Sequence, residues 1–225
     1  MSKSFKDLMP SSHYLQLNEI VELIMLTDPD KMLDIGIGFG KYGFLSREYL
    51  ELWDGRDKYG SWQRQIDGIE AFEPYLNDGH KFVYSNIFTG NALQILPGIK
   101  DKAYDLILMV DVLEHFSKED GLVILKECQR ISRNVLISVP LVNSVQDAVF
   151  NNPYEMHKYQ WKKQNFKSFP GCAFILNYKS LICYFGEKSS EVIPLFRKNL
   201  RHRFIVNTLD FFKLRNFLKT VLRKS

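Results

Sequence analysis

The segment Lys31-Met-Leu-Asp34-Ile-Gly36-Ile-Gly38-Phe-Gly40-Lys-Tyr-Gly43-Phe constrains the chain most. KMLDIG (31–36) reads as a short buried strand running into a glycine turn, and GKYGFLSREYLEL (40–52) reads as the helix after it. Glycines are needed where the chain turns sharply and a ligand must approach the backbone without interference from a Cβ. A strand feeding a helix in this way opens a βαβ unit, and ligands of open α/β sheets bind in such crevices at the carboxyl ends of strands.

The rest of the chain extends that pattern. HYLQLNEIVELIML (13–26) has helical spacing and is broken by Thr27-Asp28-Pro29-Asp30. WDGRDKYGSWQRQ (53–65) reads as an inserted loop or hairpin, IDGIEAF (66–72) as a second strand and KFVYSNIFTG (81–90) as a third. AYDLILMV (103–110) is nearly continuous apolar sequence, as in a parallel strand buried on both faces. Ser117 and Asp120 resemble a capping box opening KEDGLVILKECQRI, and NVLISVP (134–140) is a fifth strand. A short helix is expected around 161–169, then a hairpin of 172–178 and 180–186. The pattern predicts an α/β, doubly wound, seven-stranded, mostly parallel sheet with a C-terminal antiparallel strand pair and a basic helical tail.

Charge divides the chain. Of 30 Lys/Arg and 26 Asp/Glu, nine and two fall in 191–225, so the tail carries +7 while 1–190 carry −3. We therefore expect a catalytic domain over 1–190 and a basic amphipathic helical extension over 191–225. Three cysteines without CxxC spacing favour a reducing compartment over a disulfide framework. The first residues contain no apolar run and no stretch has transmembrane length, so a cytoplasmic location is expected.

Several polar residues fall where chemistry would be done. Glu70 ends the second strand, where a carboxylate can accept hydrogen bonds from both hydroxyls of a ribose. Asn91 follows the third strand, where it can either hold an adenine amino group or cap a helix. Asp111, Glu114 and His115 follow the fourth strand, and offsets of three and four share one face if that segment is helical. His13 and Tyr14 either fold over a ligand or pack an N-terminal helix, whereas His80 and His202 read as surface residues. Gly38-Phe-Gly40-Lys-Tyr-Gly43 also satisfies the dinucleotide fingerprint, which keeps a nicotinamide-dependent oxidoreductase as an alternative. A catalytically silent cofactor-binding scaffold is the other.

With MLDIGIGFGKYGFL, QIDGIEAFEPY, YDLILMVDVLEHFSKEDG, VLISVP and NPYEMHKYQW together, the chain resembles a class I S-adenosylmethionine-dependent methyltransferase over roughly residues 13–185. It is similar to a bacterial group of these enzymes whose acceptors are mostly unassigned. The resemblance implies that Asp34, Gly36, Gly38 and Gly40 contact the methionine part of S-adenosylmethionine. It places Glu70 at the ribose, Asn91 at the adenine (most relatives have Asp there) and Asp111 where methyl group and acceptor meet.

Catalysis is then expected from His115 as base, with Asp111 and Glu114 beside it. The same pattern is similar to the E-x-x-E-H metal site of ubiquinone-pathway O-methyltransferases and of small-RNA 3′-terminal 2′-O-methyltransferases. On that resemblance Asp111, Glu114, His115 and His157 would bind Mg²⁺ or another divalent cation. Asp111 is shorter than Glu, and Phe116 stands where the RNA enzymes often have His. The alternative is that Glu114 and His115 cap a helix or line the acceptor pocket. The expected acceptor is a small molecule or glycan, methylated on oxygen, and no nucleic acid.

In the tail, Ile205, Leu209, Phe212, Phe217 and Val221 lie close to one stripe, with Lys213, Arg215, Lys219, Arg223 and Lys224 largely off it. Three partners suit such a helix: the chain's own body, a protein, or an anionic membrane surface at the inner face of the membrane.

Overall fold

The computed structural model describes residues 12–53, 59–142 and 151–222, and of Leu176 and residues 209–222 the backbone alone. Seven strands form one sheet: β1 (Lys31–Ile35), β2 (Gln65–Glu70), β3 (Asn86–Thr89), β4 (Tyr104–Val110), β5 (Ser132–Pro140), β6 (Ala173–Leu176) and β7 (Ser180–Gly186). Their order is β3-β2-β1-β4-β5-β7-β6. The first five are parallel, and β7 runs antiparallel to both β5 and β6. The order reverses between β1 and β4, and this switch point puts a crevice beyond their carboxyl ends.

Helices cover both faces. α1 (Leu17–Thr27), α2 (Lys41–Arg47) and the start of α6 (Ser189–Leu222) lie on one, where Ile20, Leu23, Ile24, Val192, Ile193 and Phe196 pack with Leu106, Leu108 and Val110 of β4. α3 (Asp78–Val83) joins that face through Val83, while α5 (Lys118–Ile131), with the short α4 (Ala92–Ile95), brings Ile124, Leu125 and Cys128 against Ile107 and Met109 on the other. Alternate residues of β4 thus feed opposite cores, which is why its sequence is apolar throughout. Ser117 caps α5 by accepting the Asp120 N–H at 3.1 Å.

Two local expectations are corrected. The first half of 81–90 is helical: Asn77 caps α3 and accepts the Gly79 N–H, so the third strand spans only Asn86–Thr89. His80 is buried at 1% exposure rather than at the surface. Of the 53–65 insertion, residues 54–58 lie outside the described residues, and Gln63 and Arg64 are fastened to α2 by a buried Arg47–Glu51 pair. Glu51 accepts from the Gln63 and Arg64 N–H groups, and Arg47 donates to the Val83 and Arg64 carbonyls. Among the described residues no helix is long and apolar enough to cross a membrane.

Candidate active site

The glycine turn is braced from three sides. Gly36, at φ +75°, turns its N–H onto the Ile69 carbonyl at 2.8 Å, and an added Cβ would run into the Val112 side chain. Gly40 begins α2 at φ +78°, a conformation costly for any residue with a Cβ. Gly38 donates its N–H to Glu70 Oε2 at 2.9 Å, while Glu70 Oε1 accepts from the Phe72 N–H at 2.9 Å. His80 Nδ1 accepts the Asn77 N–H, so Nε2 carries the proton and donates to the Gly38 carbonyl at 2.8 Å. His80 had no signal in the sequence, because its partner is a backbone carbonyl brought close only by the packing of α3.

Asp34 lies below the turn, 3% exposed, with Oδ2 accepting the Tyr84 hydroxyl at 2.7 Å. Burial raises its pKa to about 7, the Tyr84 bond opposing and nearby Glu70 adding to the rise. Glu70 is also raised, chiefly by burial, against its backbone N–H bonds. Asn91 caps α4 through its side-chain oxygen, which accepts the Leu93 N–H at 3.0 Å. The cap reading is thus the arrangement seen.

Asp111 leaves β4 at φ +53°, so Asp111, Glu114 and His115 do not share a helix face; Leu113–His115 is a single 3₁₀ turn. The Asp111 N–H and Oδ1 are both tied to Ser138 of β5, and Oδ2 accepts from Gln16 Nε2 at 2.6 Å. Burial raises the Asp111 pKa, and the Ser138 and Gln16 bonds oppose it. Beyond it a distant segment closes in. The Lys158 and Tyr159 N–H groups donate to the Glu114 carbonyl, and Trp161 Nε1 donates to the Leu113 carbonyl at 3.0 Å. This zipper brings ligand atoms of Glu114, His115 and His157 within 4.8 Å of one another, and Asp111 is not part of that group.

Glu114 is 2% exposed and its Oε2 is buried with no hydrogen-bond partner. Burial raises its pKa well above the usual range, helped by Asp111 and then Glu155. His115 is pushed down to about 4 by burial and then by His157. It is therefore neutral near pH 7, and its ring bonds two backbone carbonyls, that of Met156 from Nδ1 at 3.3 Å and that of Asp111. Two imidazoles beside a buried carboxyl oxygen without a partner form a donor set that suits a divalent cation.

No protein-family model matches the chain. A curated small RNA 2′-O-methyltransferase of Tetrahymena thermophila is 27% identical over 89 residues, 36% of this chain. The match spans about a fifth, 21%, of that relative. Among solved structures, the PH0226 protein of Pyrococcus horikoshii OT3 aligns over 84% of this chain and 100% of its own, at 14% identity and a TM-score of 0.53. The methyltransferase domain of bacterial CtHen1-CN aligns over 77% and 98%, at 16% identity and a TM-score of 0.50. An O-methyltransferase family protein from Burkholderia thailandensis aligns over 76% and 55%, at 12% identity and a TM-score of 0.52. The fold is that of a class I S-adenosylmethionine-dependent methyltransferase. In that methyltransferase fold the braced glycine turn follows β1, Glu70 ends β2 and Asn91 follows β3. The Glu114/His115/His157 group stands beyond the end of β4, next to Asp111.

Proposed function

We propose that the protein transfers the methyl group of S-adenosylmethionine to a hydroxyl oxygen of a diol-bearing acceptor, a small molecule or a glycan. The observation that carries the oxygen assignment is the grouping of Glu114, His115 and His157 within 4.8 Å, with Glu114 Oε2 buried and unpaired. S-adenosylmethionine supplies an activated methyl sulfonium. The chain's part is to hold the acceptor in line with it and to manage the hydroxyl proton. Glu70, already fixed by Gly38 and Phe72, has further lone pairs for two ribose hydroxyls, and Asn91 stands at the adenine side. Glu114, His115 and His157 would hold a divalent cation, which would lower the pKa of the acceptor hydroxyl. Without a cation, the neutral imidazole of His115 is the group that takes the proton.

A ribose diol at an RNA end is the second reading, favoured by the small RNA 2′-O-methyltransferase relative and the CtHen1-CN domain. The net −3 charge of residues 1–190 argues against a long polyanion on the catalytic body. For the tail we propose contact with an anionic membrane surface, with a protein partner as the alternative.

The test is methyl transfer from S-adenosylmethionine to a panel of glycan and catechol diols and an RNA with a free 3′ end, with Mg²⁺, with Mn²⁺ and with chelator. Transfer to a diol oxygen that falls at least tenfold in chelator and in His157→Ala supports the reading. Transfer to nitrogen, or full activity in chelator, overturns the oxygen and metal assignment. Glu70→Ala should separately weaken S-adenosylhomocysteine binding in calorimetry.

A further inference from the structure

The charge of the catalytic body is not evenly spread. Residues 156–186 hold Lys158, Lys162, Lys163, Lys167 and Lys179 and no Asp or Glu, a net +5. The other residues of 1–190 therefore carry −8. All five lysines are exposed, and none forms an ion pair with a described residue. Cations gathered in this way repel one another, and their summed field draws anions to that part of the surface.

The fold puts the strip on the acceptor side of the site. Lys158 follows His157, and its N–H donates to the Glu114 carbonyl at 2.8 Å. From there exposure alternates as in an extended chain: His157 and Tyr159 are half-buried and Trp161 is buried, while Lys158 and Lys162 are exposed. Gln160, half-buried between them, donates through Nε2 to the Leu141 carbonyl at 3.0 Å, and the Leu141 N–H donates to the Lys179 carbonyl at 2.9 Å. Leu141 follows the carboxyl end of β5, so Lys179 stands at the same end of the sheet as Asp111 and the Glu114/His115/His157 group. Glu155, the carboxylate just ahead of the strip, accepts from Tyr75 at 3.1 Å and from Asn152 at 3.4 Å.

Such a rim discriminates among diols by charge. A neutral diol makes no use of it. A long polyanion would run off the strip onto the acidic remainder of the body, where like charges repel. An acceptor with one or two phosphate groups near its hydroxyls matches the strip in sign and in extent.

We propose that Lys158, Lys162 and Lys179 form an anion-binding rim of the acceptor site, and that the acceptor is a phosphate-bearing sugar whose phosphate they hold while its diol faces the Glu114/His115/His157 group. The proposal rests on the methyl-transfer reading made above and names the acceptor class within it.

The test is calorimetry on the full chain, with and without S-adenosylhomocysteine, in chelator so that no metal ion carries the phosphate. Glucose 1-phosphate and ribose 5-phosphate are compared with methyl glucoside and ribose. The sugar phosphates should bind at least tenfold more tightly than the neutral sugars, and less so as salt rises. Lys158→Ala combined with Lys179→Ala should remove that gain and leave S-adenosylhomocysteine affinity unchanged, whereas Arg at both positions should keep it. Lys31→Ala deletes an exposed cation at the amino end of β1, away from the rim, and should change nothing. Equal affinity for charged and neutral sugars, no binding of either, or an equal loss in Lys31→Ala overturns the proposal. A short single-stranded RNA that binds at least tenfold more tightly than the sugar phosphates overturns the choice of a sugar and gives the rim to RNA. Methyl transfer to neutral diols with no gain from phosphate overturns the rim alone. Tight binding of sugar phosphates with transfer to nitrogen overturns the oxygen reading and leaves the rim standing.

Discussion

At the residue scale the site is built from carboxylates kept out of water. Asp34, Glu70, Asp111 and Glu114 all have raised pKa values, and in each case burial is the largest cause. The sign of the consequence is fixed by linkage. Below an ordinary Asp pKa of 3.8, folded and unfolded chains both hold the Asp34 proton. Between that value and about 7 the unfolded chain releases it first, so stability falls as pH rises through this window and levels off above it. The ligand-free protein should melt at a higher temperature at pH 5.5 than at pH 8, and Asp34→Asn should remove part of the difference. A melting temperature that rises with pH would refute this account of the buried carboxylates. Gly36 allows a second check. Its left-handed backbone and the Val112 side chain leave no room for a Cβ, so Gly36→Ala should lose about 2–4 kcal/mol of stability, strain and overpacking together. Wild-type urea unfolding in the variant would show that the turn yields more easily than its packing implies.

At the scale of elements, what the sequence made legible followed from local chemistry. The apolar run of β4, the glycine turn and the Ser117 cap are properties of contiguous residues, and each stands where the pattern predicts. The pattern overextends β3 because Lys81-Phe-Val is equally apolar as the end of a helix, and the Asn77 cap decides between the two. The face shared by Asp111, Glu114 and His115 fails for a related reason: Asp111 takes a left-handed backbone that no periodicity records. His80 and Gln16 escape a sequence reading because each meets its partner across the fold. The His157 segment is legible only by resemblance, and packing shows how it is fixed. Trp161 lies against Gly121 of α5 so closely that an added Cβ would overlap its ring. Gly121→Ala gains about 1 kcal/mol of helix propensity but pushes Trp161 off the Leu113 carbonyl. The expected outcome is weaker Mn²⁺ binding with unchanged affinity for S-adenosylhomocysteine, both measured by calorimetry. Unchanged Mn²⁺ affinity would mean that Trp161 does not position the Glu114/His115/His157 group.

At the scale of the whole molecule, the surroundings of α6 change along its described side chains. Val192, Ile193 and Phe196 are buried beside α1, and Asn199 and Arg203 both bond Glu22, so the first turns of the helix belong to the packed body. Past them Phe204, Ile205 and Val206 are exposed at 71%, 54% and 39%. The Leu209, Phe212, Phe217 and Val221 part of the expected stripe lies outside the described side chains. A helix of 34 residues is about 50 Å long, so a body of net charge −3 grips one end of a rod whose remainder is basic and apolar. An anionic surface attracts the rod and repels the body, which would orient the crevice relative to that surface. Residues 209–225 contain five Lys/Arg and one Asp. At about 1 kcal/mol per basic residue near an anionic leaflet, they should dominate any such binding. The full chain should therefore sediment with vesicles of about two parts phosphatidylcholine to one part phosphatidylserine, and do so less as salt rises from about 50 to about 300 mM and screening shortens the reach of the charges. A chain ending at Thr208 should stay in the supernatant and keep its melting temperature, since it retains Val192, Ile193 and Phe196, the buried residues of α6 among the described side chains. Binding by both chains alike would move the contact to the body, and binding by neither would overturn the membrane contact and leave the chain's own body or a protein as the partner of the tail.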